Sequence, residues 1–135
     1  MITKADLKYL RLAEEMAKCS DFNRVHIGTC LVKKNSVLST GCNKNKTHPA
    51  QEYYNNKMLN FKKDAAKLHA EIDCLIKIQH YPTTLGSTLY IFRRGRDGIY
   101  RMSKPCPACM QMIKDKGIAR IVYTIDNGIK EINLE

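Results

Sequence analysis

Two cysteines in the last third of the chain have a spacing that suits several kinds of chemistry. Cys106 and Cys109 lie in the stretch KPCPAC, residues 104–109. A pair at this spacing can form a redox-active disulfide, supply half of a structural zinc site, or help to hold a catalytic metal ion. Because a catalytic zinc keeps three protein ligands and an open position, the last use requires another ligand elsewhere in the chain.

One of the four histidines is followed by an acid at a distance that suits such a site. His69 stands in the stretch LHAE, residues 68–71, two residues before Glu71. In the first turn of a helix, side chains two residues apart point in different directions. His69 can therefore bind a metal ion while Glu71 reaches a water on that ion and transfers its protons. A structural zinc site would instead need a fourth protein ligand, for which Cys42, Cys74 and His48 are the candidates.

Helices are expected to begin near these motifs. Thiolates such as those of Cys106 and Cys109 are favoured at a helix start, where unpaired backbone N–H groups and the helix dipole stabilise negative charge. Thr3 and Asp6 are typical of a capping box at the start of a first helix. The hydrophobic pattern predicts helices from Thr3 to about Lys18, from Ala66 to about Gln79 and from Cys106 to Lys116.

Strands are predicted between these helices. Two β-rich runs, HIGTCLVKK and SVLSTG, should form a hairpin around Lys34 and Asn35. Further strands are predicted from Thr88 to Phe92, from Ile118 to Ile125 and in the edge stretch IKEINL. Residues 43 to 65 are predicted to form a long polar loop, and residues 93–101 a basic hairpin tip. This order predicts an α/β domain with a mixed sheet in two or three layers, and the length suits a single domain over residues 1–135.

The charge of the chain favours anionic partners. With 23 Lys and Arg against 13 Asp and Glu, the net charge is +10, which suits nucleotides, nucleic acid or acidic surfaces. The sequence contains no run of about 18 apolar residues that would span a membrane, and its first residues lack the apolar core of a signal peptide. We therefore expect a cytoplasmic protein without a membrane partner, whose six cysteines stay reduced.

The two motifs together resemble the signature of the zinc-dependent nucleoside and nucleobase deaminases, His-x-Glu followed by Pro-Cys-x-x-Cys. The stretch HIGTCLV at 26–32 resembles the first strand of that family, and GCN at 41–43 resembles the end of its second strand. The resemblance extends over most of the chain and is closest to the deoxycytidylate (dCMP) deaminase branch. It implies the three-layer α-β-α fold of the cytidine deaminases, with a mixed sheet of about five strands and helices on both faces.

The resemblance also implies roles for individual residues. His69, Cys106 and Cys109 would bind a catalytic zinc. The zinc-activated water would attack C4 of a cytosine with Glu71 as proton shuttle, so that dCMP becomes dUMP. Backbone groups around Ala70 would hold the base.

Four further residues are candidates for binding the substrate. The resemblance implies a contact between Asn43 and the sugar. His48 follows the Asn43 region along the chain, from where it can approach a substrate. Arg101 and Lys104 belong to the densest basic cluster and lead directly into the Cys106 motif, so they are candidates for binding a phosphate.

Two other functions fit the same residues. The net charge favours a cytosine, or an adenine, within single-stranded DNA or RNA as the substrate. The absence of tryptophan and the likeness to nucleotide enzymes favour a free pyrimidine nucleotide. A non-catalytic, zinc-stabilised binding module is the second alternative, but such a module has no use for Glu71. The family resemblance further implies a homo-oligomer.

Overall fold

The computed structural model describes residues 1–22, 25–58, 67–80 and 82–135. Thr3 caps the first helix through a reciprocal pair of hydrogen bonds with Asp6, which confirms the predicted capping box. The elements in chain order are α1 (Lys4–Ala17), β1 (Ile27–Lys33), β2 (Ser36–Cys42), β3 (Lys44–Thr47), α2 (Pro49–Met58), β4 (Lys67–Leu68), α3 (Ala70–Ile76), β5 (Thr88–Arg93), α4 (Pro107–Asp115), β6 (Arg120–Ile125) and β7 (Gly128–Asn133).

Five strands of the described chain form a mixed sheet in the order β2-β1-β5-β6-β7. β5 and β6 run parallel, whereas the other neighbouring pairs are antiparallel. The predicted hairpin between β1 and β2 is confirmed. Lys34 and Asn35 form its turn with φ values of 50° and 62°, the positive values that a tight two-residue hairpin favours. β3 and β4 pair with each other outside this sheet.

Helices cover both faces of the mixed sheet. Side chains alternate along β5, so that Tyr90 joins the apolar cluster beneath α1 and the adjacent Ile91 joins the cluster beneath α3 and α4. α1 lies very close to β1 at Gly28, where a Cβ atom would be 1.9 Å from the carbonyl oxygen of Ala13. The resulting α-β-α arrangement confirms the predicted fold class.

The prediction of a long loop over residues 43 to 65 is wrong for much of that segment. Residues 44–47 form β3 and residues 49–58 form α2, while residues 59–65 lie outside the described residues. α2 has no apolar stripe that the sequence pattern could reveal, because its buried side chains are those of Gln51 and Asn55. A hydrophobicity pattern cannot distinguish a helix whose buried face is polar from a loop.

The helix predicted from Ala66 to about Gln79 is shorter in the structure. α3 spans Ala70–Ile76, and the preceding β4 takes up part of the predicted helix. His69 has an extended backbone (φ −79°, ψ 154°) and is the N-cap residue of α3, so the helix begins directly after it. Ala66 lies outside the described residues. No helix in the described ranges is long and apolar enough to cross a membrane.

Candidate active site

His69, Cys106 and Cys109 come together where α3 and α4 begin. His69 is the N-cap residue of α3, and Cys106 is the N-cap residue of α4. The ligand atoms of the three residues all lie within 4.8 Å of one another. Nδ1 of His69 is 3.2 Å from the Cys109 sulfur and 3.6 Å from the Cys106 sulfur. We call these residues the metal group, since one imidazole nitrogen and two sulfurs form the donor set of some three-ligand zinc sites.

The two thiols of the metal group differ in their affinity for a proton. A hydrogen bond with Cys109, which outweighs the opposing effect of burial, lowers the pKa of the Cys106 thiol to about 4. The same hydrogen bond and burial raise the pKa of Cys109 well above its usual value. Cys106 is therefore the more easily ionised of the two thiols, and the binding of zinc by both sulfurs would release the protons that they carry.

Glu71 lies beside the metal group in the first turn of α3. Only 5% of its surface is exposed. Burial raises the pKa of its carboxyl group, and the nearby His69 opposes that shift. A raised pKa suits a carboxyl group that must both accept and give up protons near neutral pH.

A cavity of about 380 Å³ opens beside the metal group. Its lining includes His69, Glu71 and Cys106, so a molecule in the cavity would reach both the metal ligands and the buried acid. Phe22 and Ile27 add apolar surface to the same lining. The volume lies in the range of small-molecule sites, which is roughly 300–1,000 Å³.

Three cationic side chains of the described residues also line this cavity. Lys67 belongs to β4, Arg93 ends β5, and Lys104 lies two residues before Cys106. We call them the cation group. Within the described part of the chain, Glu71 is the only acidic side chain in the lining, so the cavity attracts anions.

Two of the predicted substrate-binding residues, Asn43 and Lys104, line the cavity. The side chain of Asn43 is held from two sides. Its Oδ1 accepts a hydrogen bond from the backbone N–H of Ile27 at 3.0 Å, and its Nδ2 donates one to the carbonyl oxygen of Val25 at 2.6 Å. These bonds fix the amide between the end of β2 and the start of β1.

The other three predicted substrate-binding residues do not occur among the described residues that line the cavity. His48 accepts a hydrogen bond from the backbone N–H of Ala50 at the start of α2, through its Nδ1. Ala70 is fully buried, and its carbonyl oxygen accepts a hydrogen bond from the Thr29 hydroxyl. Arg101 forms an ion pair with Asp97, 2.6 Å away, within the basic hairpin tip. A substrate role for these three residues stays a prediction.

Asp73 ties the end of β2 to the helix that carries Glu71. The side chain of Asp73 is buried on α3. One of its oxygens accepts a hydrogen bond from the backbone N–H of Cys42 at 3.0 Å, and the other pairs with the Lys44 ammonium at 3.1 Å. Since Cys42 and Lys44 flank Asn43, these contacts set the position of Asn43 relative to α3.

Sequence reasoning missed Lys67 and Arg93 as cavity residues. Arg93 belongs to the basic cluster that the sequence singled out, but nothing in the sequence shows which arginine of that cluster faces the metal group. Lys67 directly precedes the LHAE motif, within a segment that the pattern assigned to a helix. The one feature of the sequence that could have indicated Lys67 as a cavity residue is its nearness to His69 along the chain.

The sequence over residues 3–125 matches the family described as the cytidine and deoxycytidylate deaminase zinc-binding region. This chain belongs to that family. The match includes the metal group, and the nitrogen and two sulfurs of that group suit zinc, so zinc is the cofactor of this deaminase fold. No similar sequence was found among curated proteins.

Solved structures of deaminases have the same fold. The chain is 25% identical to the dCMP deaminase of the cyanophage S-TIM5, with a TM-score of 0.64 over 91% of this chain and 84% of that one. The same phage enzyme in complex with dCMP and dUMP gives 25% identity and a TM-score of 0.63, over 91% and 82%. A cytidine deaminase from Burkholderia pseudomallei gives a TM-score of 0.65 over 94% and 91%, and its 15% identity supports the fold alone.

Proposed function

We propose that this chain is a zinc-dependent hydrolytic deaminase that converts cytosine to uracil in a pyrimidine nucleotide, with dCMP as substrate and dUMP as product. The observation that carries the proposal is that one cavity is lined by two members of the metal group, His69 and Cys106, and by the cation group. The metal group would bind the zinc on which the reaction of the deaminase family depends. The cation group suits a phosphate, because lysine and arginine form charge-assisted hydrogen bonds with phosphate oxygens.

In the proposed reaction, water adds to C4 of the cytosine, the C4–N4 bond breaks, and ammonia leaves. His69, Cys106 and Cys109 would hold the zinc, which supplies the Lewis acidity that makes hydroxide available near neutral pH. Glu71 would take a proton from the water, transfer it to N3 of the ring, and protonate the departing amine. Its burial beside the metal group supports this role, because burial raises its pKa toward the pH at which it must accept and release protons.

The proposed substrate rests on charge and on one relative. Lys67, Arg93 and Lys104 offer three positive side chains to a phosphate in the cavity. The phage enzyme that binds dCMP and dUMP has the same fold and about a quarter of its aligned residues in common with this chain. A nucleoside without a phosphate would offer this cation group no anionic partner.

A polynucleotide substrate is the second candidate, and the net charge of +10 supports it. Ammonia release should therefore be measured with dCMP, CMP, dCTP, deoxycytidine, and single-stranded DNA and RNA oligonucleotides. Turnover of dCMP supports the proposal, whereas turnover of oligonucleotides alone would replace it with a polynucleotide deaminase. Glu71→Gln is the inactive control and Glu15→Gln, an exposed glutamate on α1, is its matched partner. Zinc binding without any turnover by the unaltered chain would indicate a binding module.

Three broader expectations stay predictions. We propose that residues 1–135 act as a single deaminase domain, since the family match spans residues 3–125. A cytoplasmic location is supported by the six cysteines, which are all free thiols and lie within the described ranges. A homo-oligomer is expected from the family resemblance, and size-exclusion chromatography with light scattering would test it.

A further inference from the structure

The buried face of α2 carries two amide side chains, one of which contacts the backbone of a residue of the metal group. Gln51 has no exposed surface, and Asn55, one helical turn further along, is 2% exposed. Nε2 of Gln51 donates a hydrogen bond to Oδ1 of Asn55 at 2.9 Å. Oε1 of Gln51 accepts a hydrogen bond from the backbone N–H of His69, also at 2.9 Å. The Gln51 amide thus links α2 to a metal ligand.

This contact falls at a point where α3 provides no hydrogen bond of its own. His69 is the N-cap residue of α3, and its side chain makes no capping hydrogen bond. Its backbone N–H lies before the first helical turn, so it has no partner within the helix. The amide oxygen of the fully buried Gln51 supplies that partner. The position of the His69 backbone determines where its Nδ1 lies.

α2 also forms a hydrogen bond with α4, the helix whose start carries the other two metal-group residues, Cys106 and Cys109. The Tyr54 hydroxyl donates a hydrogen bond to the Asp115 carboxylate on α4, at 2.9 Å. α2 therefore contacts α3 through Gln51 and α4 through Tyr54. These are the two helices whose first residues form the metal group.

We propose that Gln51 is a positioning residue for the metal centre. Its amide oxygen holds the His69 backbone so that Nδ1 of His69 stays within reach of the Cys106 and Cys109 sulfurs. Partners behind a ligand that orient it in this way typically change metal affinity by about 10–100-fold when they are removed. The inference depends on the metal group and not on the identity of the substrate, so its failure would leave the proposed function untouched.

The test is the zinc affinity of Gln51→Met, measured by competition with a chromophoric chelator. Methionine has nearly the length and volume of glutamine but lacks the amide. We expect zinc binding to weaken about 10–100-fold. Gln51→Glu keeps an acceptor oxygen for the His69 N–H but loses the donor to Asn55, so it should recover part of the affinity. Tyr54→Phe removes a hydrogen bond to Asp115, the last residue of α4, at the opposite end of that helix from its metal-group residues, and should bind zinc like the unaltered protein.

The melting temperatures of the metal-free variants separate positioning from a general loss of stability. Wild-type zinc affinity in Gln51→Met, together with a lower melting temperature, would overturn the proposal. Equal weakening in Tyr54→Phe would do the same. Should Gln51→Met fail to fold, Asn55→Ala provides the measurement, because it keeps the Gln51 oxygen and removes a partner that orients it. We expect severalfold weaker zinc binding in Asn55→Ala, and an unchanged affinity would contradict the proposal.

Discussion

The metal group, through His69 and Cys106, lines the same cavity as the cation group, but the protein holds the two groups in different ways. His69 and Cys106 are the N-cap residues of two packed helices, and Cys109 is fully buried within α4. The cation group comes instead from the two-residue strand β4, the last residue of β5 and the connection that precedes Cys106. Groups at the starts of packed helices are positioned more precisely than groups at strand ends and on connections, where the adjoining loops vary more easily.

This difference suggests a division of labour. Under the proposed function, the metal group and Glu71 would determine the reaction, because proton transfer and metal binding both demand precise geometry. Under the same proposal, the cation group would select among substrates that carry the same base, because the attraction of a phosphate to several positive side chains tolerates small displacements. Each prediction below tests either the metal-binding part of the protein or its basic part.

Loss of the metal should have the largest effect. Treatment with a chelator should reduce deamination to the background rate, and added zinc should restore it. The melting temperature should fall as well, since zinc binds the folded chain and stabilises it by mass action. Activity and thermal unfolding check both effects. His69→Ala should lose its zinc in elemental analysis while His80→Ala, an exposed histidine, keeps it; full zinc content in both would contradict the assignment of the metal group.

Glu71→Gln should abolish most of the activity and leave the metal in place. A general acid–base group typically contributes about 10²–10⁴-fold to the rate, and the amide can neither accept nor release the proton. The turnover number for dCMP and the zinc content per chain are the two measurements. Glu15→Gln should behave like the unaltered protein in both. A turnover number within about threefold of the unaltered value would exclude Glu71 as the proton shuttle.

Arg93→Gln should affect phosphorylated substrates alone. Hydrogen bonds to charged groups contribute about 1.5–3 kcal/mol, so we expect kcat/KM for dCMP to fall about 10–100-fold. The value for deoxycytidine should not change, because that substrate has no phosphate. Arg96→Gln, an exposed arginine in the adjacent hairpin tip, is the matched control. Equal losses for dCMP and deoxycytidine would show that Arg93 supports the site as a whole.

The smallest effects concern stability. Asp73→Ala leaves the buried Cys42 N–H and the Lys44 ammonium without their partner, so the free energy of unfolding should fall by about 1–3 kcal/mol. Asp97→Ala breaks the ion pair with Arg101 in the basic tip, where about 0–1 kcal/mol is expected. Urea denaturation of both variants gives the comparison. An Asp97→Ala loss as large as that of Asp73→Ala would show that the tip is held as firmly as α3.

The same division explains what the sequence could predict. The metal group and Glu71 stood out because their residue types and spacing are restricted by zinc chemistry. The sheet, the capping box of α1 and the two-residue hairpin followed from local patterns. α2 did not, because its buried side chains are those of Gln51 and Asn55, whose polarity suggested a loop. Arg93 could not be distinguished from its basic neighbours. Its place in the cavity depends on the end of β5 lying close to the start of α4, which the sequence does not show.

The most direct measurement is the ratio of kcat/KM for dCMP to that for deoxycytidine, in the unaltered protein and in Arg93→Gln. If the cation group selects the nucleotide, the unaltered protein should prefer dCMP by at least about 100-fold, and Arg93→Gln should reduce that ratio at least about tenfold. The turnover number for deoxycytidine should be the same in both proteins. A ratio near one in the unaltered protein would contradict the account, because the metal group would then act on any cytosine that enters the cavity.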